Sequence, residues 1–291
     1  MDEPELIPHN FLGLSAAASA YESARVVVLP VPFEATTSYG AGTRGGPDAI
    51  LAASRQVETF DPETGRDLTD APIHTHPSVA PALGSPDAMT DRLTAVAGRL
   101  YADGKWVLAL GGEHAITLGL VRAAAKKHGR LSVLQLDAHA DLRDSWEGTP
   151  YSHACVMRRI VEDGHRTVHV GIRNACREEV EFAEAHGLPI FWASKFAGSD
   201  ALLEAADALE GPVYVTVDVD GLDPGVIRTT GTPEPGGLGW WETMRLLERI
   251  FKKHPVVGAD LVELSAQGDI ASDFAAARLA AKLAALAPSR P

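Results

Sequence analysis

The chain has 291 residues, of which 45% are hydrophobic and 22% are charged. This composition is typical of a compact globular protein and excludes a disordered, collagenous or coiled-coil chain. Lys and Arg number 26 against 39 Asp and Glu, which gives a formal net charge of −13. Because such a balance repels phosphate backbones, we expect no nucleic-acid partner.

The cysteine content and the N-terminal residues bear on the cellular compartment. Cys155 and Cys176 are too few for a disulfide framework and fit a reducing environment. Residues 11–20 are largely apolar, but acids and no Lys or Arg precede them, so we predict a short helix rather than a signal peptide. No apolar run reaches the roughly 18 residues that cross a bilayer. We therefore expect a cytoplasmic protein with no membrane partner.

Short apolar runs alternate with helical stretches from about residue 105 to the end of the chain. The runs predict buried strands over 25–31, 106–110, 131–136, 167–170, 189–191, 213–217 and 256–262. The other stretches predict helices over 91–102, 115–127, 153–163, 177–186, 201–209, 240–253 and 273–287. This alternation predicts an α/β fold of three layers, in which helices cover both faces of a mainly parallel sheet.

The alternation continues across every candidate boundary, and no repeat or low-complexity linker interrupts it. We therefore predict a single domain over residues 1–291. Residues 61–87 are the least periodic and are predicted to form a surface loop, and a helix is predicted to begin at Pro47. Because ligands of open α/β sheets bind beyond the carboxyl ends of the strands, the residues that follow the strands are the candidates for a functional site.

Three polar residues at a spacing of two follow the predicted strand 131–136: Asp137, His139 and Asp141. Alternate residues of an extended chain point to one side, so these side chains are expected to converge. A strand end lined with negative charge is costly unless a cation neutralises it. We therefore favour a metal site over a structural charge cluster.

Two further strand ends carry residues of the same chemistry. Asp218 and Asp220 follow the strand 213–217, although such a pair on its own is as often a cap or a turn. His114 follows Gly111 and Gly112, which permit a tight turn after the strand 106–110. Together the three strand ends supply two imidazoles and four carboxylates, from His114, Asp137, His139, Asp141, Asp218 and Asp220.

This donor set suits two divalent cations, because four carboxylates balance their charge. It is typical of two-metal sites, in which ions about 3.5–4 Å apart activate a nucleophile. Since the set is rich in carboxylates and lacks thiolates, it favours Mn²⁺, with Fe, Co and Zn as alternatives.

These motifs resemble the metal-binding signatures of the ureohydrolases, the arginase and agmatinase family. The similar segments are 111–114, 137–141 and 218–224, and they occur in the family's order. The resemblance extends from residues 42–47 to Glu263. It implies an oligomeric enzyme, a trimer or a hexamer, that hydrolyses a small cationic guanidine to urea and an amine.

The resemblance also implies roles for individual residues. Asp141 would accept a hydrogen bond from the nucleophile, and Glu263 would pair with the guanidinium group of the substrate. His153 would carry a proton to the leaving amine, the alternative being a histidine that merely begins a helix, and Glu234 would meet the distal amine. The implied ligand assignment has Asp137 and Asp218 bridging the two ions, with one ion completed by His114 and Asp141 and the other by His139 and Asp220.

Several substrates remain open. Residues 151–159 and 231–238 are similar to the agmatinase branch, and no segment between 141 and 153 resembles the arginase loop that holds an α-carboxylate. We therefore expect agmatine, which yields putrescine in polyamine biosynthesis, with N1-aminopropylagmatine, which yields spermidine, as the alternative. Guanidinobutyrase and arginase activity are less favoured. A single-zinc deacetylase-like amidohydrolase and a catalytically inactive relative are the remaining alternatives.

Overall fold

Eight strands form one sheet in the part of the chain that the structure describes, which is residues 8–82, 84–195 and 200–288 of a computed structural model. Its strands are β1 Val26–Val31, β2 Ile73–Thr75, β3 Trp106–Gly111, β4 Ser132–Leu136, β5 Arg166–Ile172, β6 Ile190–Trp192, β7 Val213–Asp218 and β8 Val256–Val262. Their order across the sheet is β2, β1, β3, β8, β7, β4, β5, β6. All of these neighbours pair in parallel.

Helices cover both faces of the sheet. Among the described residues they are α1 Gly46–Ser54, α2 Pro86–Ala102, α3 Thr117–His128, α4 Val156–Glu162, α5 Arg177–His186, α6 Trp240–Lys253 and α7 Ile270–Leu286. Apolar side chains of α1, α6 and α7 belong to one core cluster, and those of α2, α3, α4 and α5 belong to the other. None of these helices is long and apolar enough to cross a membrane.

Alternation along β1 shows how one strand serves both cores. Val26 and Val28 belong to the core on one side of the sheet, whereas Val27, Leu29 and Val31 belong to the core on the other. Because successive side chains of a strand point to opposite faces, a continuous apolar run is what a sheet covered on both faces requires. The structure thus confirms the predicted α/β fold with its parallel sheet, and every strand predicted from the sequence is present.

Three predictions of local structure are wrong in part. Residues 61–87 are not simply a loop, because they contain β2 and one strand of a short hairpin, Phe60–Asp61 with Arg66–Asp67. The helix predicted over 11–20 is a single 3-10 turn, Phe11–Gly13, interrupted at Leu12, whose φ is 63°. The helix predicted over 201–209 is a 3-10 segment, Asp200–Asp207.

The four central strands of the sheet, β3, β8, β7 and β4, end at the same level. Leu110 of β3 is in register with Leu261 of β8, and Val262 of β8 is in register with Asp218 of β7. Parallel strands with matched ends bring the residues that follow them to one edge of the sheet. All the strand ends singled out in the sequence belong to this group.

Candidate metal centre and active site

The turn after β3 places His114 at the carboxyl edge of the sheet. A Cβ atom on Gly112 would lie 1.9 Å from the carbonyl oxygen of Phe33, so only glycine fits this close backbone approach. The Glu113 N–H donates to the same carbonyl, which secures the turn. His114 then begins a 3-10 turn, His114–Ile116, that leads into α3.

Two of the acidic residues at this edge have left-handed backbones. Asp141, after β4, has φ 53°, and Glu263, directly after β8, has φ 65°. Residues other than glycine adopt this region at an energetic cost, and such residues cluster at functional sites. The unusual backbone turns both carboxylates toward the same cavity, since both line it.

Three carboxylate oxygens surround Nδ1 of His114. Oδ2 of Asp141 lies 2.9 Å away, Oδ2 of Asp137 lies 3.0 Å away and Oδ2 of Asp218 lies 3.4 Å away. Yet Nδ1 is buried without a hydrogen bond to any described residue. A buried ring nitrogen among converging carboxylates, unsatisfied by the protein, is the donor arrangement that a divalent cation completes.

The other ring nitrogen of His114, Nε2, contacts a buried hydroxyl group. Its Nε2 lies 2.9 Å from the hydroxyl of Thr216, and that hydroxyl donates to Oδ1 of Asp260 at 2.6 Å. Because the hydroxyl proton is committed to Asp260, the Thr216 oxygen is left to accept from Nε2–H. In the neutral ring Nδ1 therefore carries the lone pair, as a metal ligand requires.

A second group lies beside the first and shares Asp137 with it. Nδ1 of His139 lies 3.0 Å from Oδ2 of Asp220 and 3.6 Å from Oδ1 of Asp137. In each group the possible ligand atoms lie within 4.8 Å of one another, so each could hold a metal ion. The two groups are His114, Asp137, Asp218 and Asp137, His139, Asp220.

Backbone amides hold the outer oxygens of the aspartates. Oδ1 of Asp218 accepts from the Asp220 N–H, and Oδ1 of Asp220 accepts from the Ala138 N–H. The Oδ2 atoms of both aspartates face the histidines. One oxygen of each carboxylate is thereby fixed and the other is directed to the centre, which is how supporting groups orient metal ligands.

The charges at this edge are unbalanced without cations. Burial raises the pKa of Asp141 to about 7, and the charge of Asp137 adds to the effect. Burial disfavours the imidazolium form of His139, but the neighbouring Asp137 and Asp220 outweigh it and raise the His139 pKa to about 12. Protons therefore occupy this cluster in the metal-free protein, and bound divalent ions would displace them.

A cavity of about 240 Å³ opens onto these carboxylates. It is smaller than the ~300–1,000 Å³ typical of ligand pockets, which suits a slender molecule. Oε1 of Glu263 accepts a hydrogen bond from the His114 N–H at 2.6 Å. Burial, together with the charge of Glu113, raises the pKa of Glu263 well above its usual range, so a cation entering the cavity would favour its ionised form. The acids that line the cavity are Asp141, Glu179, Asp218, Asp220 and Glu263.

His153 lines the same cavity at the start of a 3-10 turn, His153–Cys155. Burial, together with the positive charge of His114 and His139 in the metal-free protein, lowers the pKa of His153 to about 4. The ring is therefore neutral at neutral pH in the metal-free protein. A solvated histidine, whose pKa lies near neutrality, would be partly protonated there. A neutral ring can accept a proton and pass it on.

The predicted residue at the far end of the substrate, Glu234, does not line the cavity. Its Oε1 accepts a 2.6 Å hydrogen bond from the side chain of Asn174, which does line it. Glu234 therefore lies behind Asn174 at the rim. Arg143 also lines the cavity, and its guanidinium group stacks on Trp146 at 4.4 Å from the ring centroid.

Sequence reasoning missed the residues that support the ligands. Gln135 donates to Oδ2 of Asp137 at 2.7 Å and contacts the ring of His169. Gln135, Thr216 and Asp260 are all fully buried within β4, β7 and β8. Each of them is a polar residue inside an otherwise apolar strand. That pattern indicates a supporting role in the sequence, because buried polar groups need hydrogen-bond partners.

Replacing Thr216 with Val should weaken metal binding. Valine keeps the shape of the side chain but cannot accept from Nε2 of His114, so we expect Mn²⁺ affinity to fall about 10- to 100-fold. Competition with a fluorescent chelator measures this affinity, and Thr216→Ser, which keeps the hydroxyl, should restore most of it. Unchanged affinity in a folded Thr216→Val protein would show that Thr216 does not orient His114.

Comparison with known proteins agrees with this geometry. The model of the Arginase family matches residues 24–286. An N(1)-aminopropylagmatine ureohydrolase of Synechocystis sp. is 43% identical over 286 residues, covering 95% of this chain and 93% of the relative. An agmatinase of Pyrococcus horikoshii is 37% identical over 245 residues, covering 84% of this chain and 85% of the relative.

A solved structure matches almost the whole chain. The crystal structure of the agmatine ureohydrolase of Thermoplasma volcanium superimposes with a TM-score of 0.86 at 33% sequence identity, covering 97% of this chain and 94% of that chain. The family match extends over all the strand ends that form the candidate site. The chain therefore belongs to the arginase family.

Proposed function

We propose that this protein hydrolyses the guanidinium group of N1-aminopropylagmatine to urea and spermidine. The observation that carries the proposal is the pair of metal-holding groups sharing Asp137 at the base of an acid-lined cavity. The 43% identical relative is named for this activity, whereas the agmatinase is 37% identical. The relatives therefore favour N1-aminopropylagmatine over agmatine. Agmatine, the substrate expected from the sequence, is the second candidate.

The donor set supports two divalent ions, with Mn²⁺ as the proposed metal. The residues that would hold them are His114, Asp137, His139, Asp141, Asp218 and Asp220. When bound, the ions would lower the pKa of water and so supply the nucleophile at neutral pH. Hydrolysis of a delocalised, weakly electrophilic guanidinium group needs such activation.

The residues around the cavity would each act on one part of the reaction. The free oxygen of Glu263 would accept from the guanidinium N–H groups, which aligns the central carbon with the nucleophile. Asp141 would accept a hydrogen bond from the attacking water. The water oxygen bonds to the guanidinium carbon, and the bond from that carbon to the alkyl nitrogen breaks.

Proton movement completes the balance of the reaction. Both hydrogens of the water end on the leaving nitrogen, which departs as an ammonium group while the carbon departs as urea. His153, whose ring is neutral and half-buried beside the cavity, would take a proton from the water side and give it to the amine. His153 is therefore the proposed proton carrier.

The charge of the cavity supports a cationic substrate. The acids that line the cavity outnumber its arginine, Arg143, whose guanidinium carbon lies over the Trp146 ring. Glu234, one oxygen of which accepts from Asn174, would bind the distal ammonium group with its other oxygen.

We further propose that the protein forms a homo-oligomer, a trimer or a hexamer, and that it is located in the cytoplasm.

Urea release from four guanidines tests the proposal directly. With Mn²⁺-loaded protein we expect kcat/KM to be highest for N1-aminopropylagmatine, lower for agmatine, and lowest for arginine and 4-guanidinobutyrate, whose carboxylates the acidic cavity repels. Asp137→Ala, which removes the shared ligand, serves as the blank. Wild-type rates equal to this blank on all four compounds would overturn the proposed function.

Glu234→Gln tests the distal contact. Loss of the carboxylate charge should lower kcat/KM for N1-aminopropylagmatine about tenfold, because a charged hydrogen bond to the ammonium group is lost. Glu184→Gln on the exposed surface of α5 is the matched control. If both variants handle the substrate like the wild type, Glu234 does not bind it.

A further inference from the structure

The ring of His153 is surrounded by hydroxyl groups. On one side, Nδ1 lies 3.2 Å from Oγ1 of Thr36 and 3.3 Å from Oγ of Ser152. On the other side, Nε2 lies 3.3 Å from Oγ of Ser38. A hydroxyl can donate or accept, so these distances alone leave open which ring nitrogen carries the hydrogen.

A buried glutamate resolves the role of the Thr36 hydroxyl. Oε2 of Glu113 accepts from the backbone N–H groups of Ala35 and Thr36, which fixes the carboxylate. Oε1 then accepts the Thr36 hydroxyl at 2.7 Å. Glu113 is fully buried, so no solvent competes for this bond.

The remaining capacity of the Thr36 oxygen is filled by His153. Its single hydrogen goes to Glu113, and one lone pair accepts the backbone N–H of His153 at 3.1 Å. Only a second lone pair is left for the ring. The contact between Nδ1 and Thr36, which at 3.2 Å is shorter than that with Ser152, therefore requires Nδ1 to donate, and the neutral ring that makes it carries its hydrogen on Nδ1.

We infer that Glu113, acting through Thr36, holds His153 in the Nδ1–H form and makes Nε2 the atom that exchanges protons in the reaction. The inference rests on the proposed role of His153 as proton carrier. Glu113 and Thr36 are positioning residues, since neither Thr36 nor Glu113 lines the cavity. A ring in the other tautomer would present an N–H where the reaction needs a lone pair.

The contacts of Nε2 agree with this assignment. The indole N–H of Trp146 donates to Oγ of Ser38 at 2.9 Å, which leaves the Ser38 hydrogen free to point at Nε2. An Nε2 lone pair can accept that hydrogen at 3.3 Å, which is the role that an Nδ1–H ring leaves to Nε2. Ser38, Trp146 and His153 all line the cavity, so Nε2 is the ring nitrogen on the substrate side.

Nitrogen NMR of the full-length, metal-free protein with ¹⁵N-labelled histidine rings tests the inference. The His153 signals are assigned by their loss in His153→Asn. At neutral pH we expect a pyrrole-type Nδ1 and a pyridine-type Nε2 in the wild type. A pyrrole-type Nε2 in the wild type would overturn the inference, whatever the activity.

Two variants make the test sharper. In Glu113→Gln the two backbone N–H groups keep the amide oxygen at the Oε2 position, so the amide NH₂ must donate to Thr36. The Thr36 hydrogen is then turned toward Nδ1, and the tautomer should invert to Nε2–H. Thr36→Val, which removes the hydroxyl, should give a mixture of the two tautomers.

Activity and controls separate positioning from folding. With Mn²⁺ bound, we expect kcat to fall about 10- to 100-fold in Glu113→Gln and in Thr36→Val, and Thr36→Ser should recover both the Nδ1–H signal and most of the rate. Thr94→Val, which removes an α2 hydroxyl that donates to the backbone carbonyls of Thr90 and Gly119, should leave the His153 signals unchanged. A Glu113→Gln protein that keeps the Nδ1–H form would contradict the inference.

The test is independent of the wider proposal. If the wild type releases no urea from any guanidine, the proposed function fails, yet the tautomer measurement still stands. If urea is released but His153→Asn is as fast as the wild type, the role of Nε2 in proton exchange is overturned. If the Glu113→Gln tautomer inverts and kcat falls with it, the inference holds.

Discussion

Repulsion between buried carboxylates at one edge of the sheet decides how the candidate site can be stable. Asp137, Asp141, Asp218 and Asp220 are all almost inaccessible to solvent. In each group that could hold a metal ion the ligand atoms lie within 4.8 Å of one another, and two like charges at that distance repel by about 3 kcal/mol at an effective dielectric constant of 20. Bound cations turn this repulsion into attraction, so the ends of four central strands are stable together chiefly as a metal site.

Hydroxyl groups that donate to buried acids orient the rings of two histidines, His114 and His153. Thr216 and Asp260 stand behind His114, and Thr36 and Glu113 stand behind His153. In each pair the acid takes the hydroxyl proton, and the hydroxyl oxygen then accepts from one ring nitrogen. The other nitrogen is left with its lone pair toward the site. In the proposed mechanism, the free nitrogen of His114 would bind a metal ion and the free nitrogen of His153 would exchange a proton.

The sequence predicted those features that depend on local pattern. The strands, the parallel sheet and the convergence of Asp137, His139 and Asp141 followed from apolar runs and a spacing of two. Features that depend on contacts far apart in the chain did not follow. Thr36 lies 117 residues from His153, and Thr216 lies 44 residues from Asp260, so no local pattern joins them. The helix predicted over 11–20 failed because the backbone turns at Leu12, whose burial overrides local propensity.

The number of metal ions bound per chain distinguishes a two-ion centre from a single-ion one. After reconstitution with Mn²⁺ and removal of free metal, elemental analysis against protein concentration should give two ions per chain in the wild type. Asp137→Ala, which removes the residue common to both groups, should hold less than one. A folded wild-type protein that saturates at a single ion would contradict a two-cation site and would favour the single-zinc, deacetylase-like alternative.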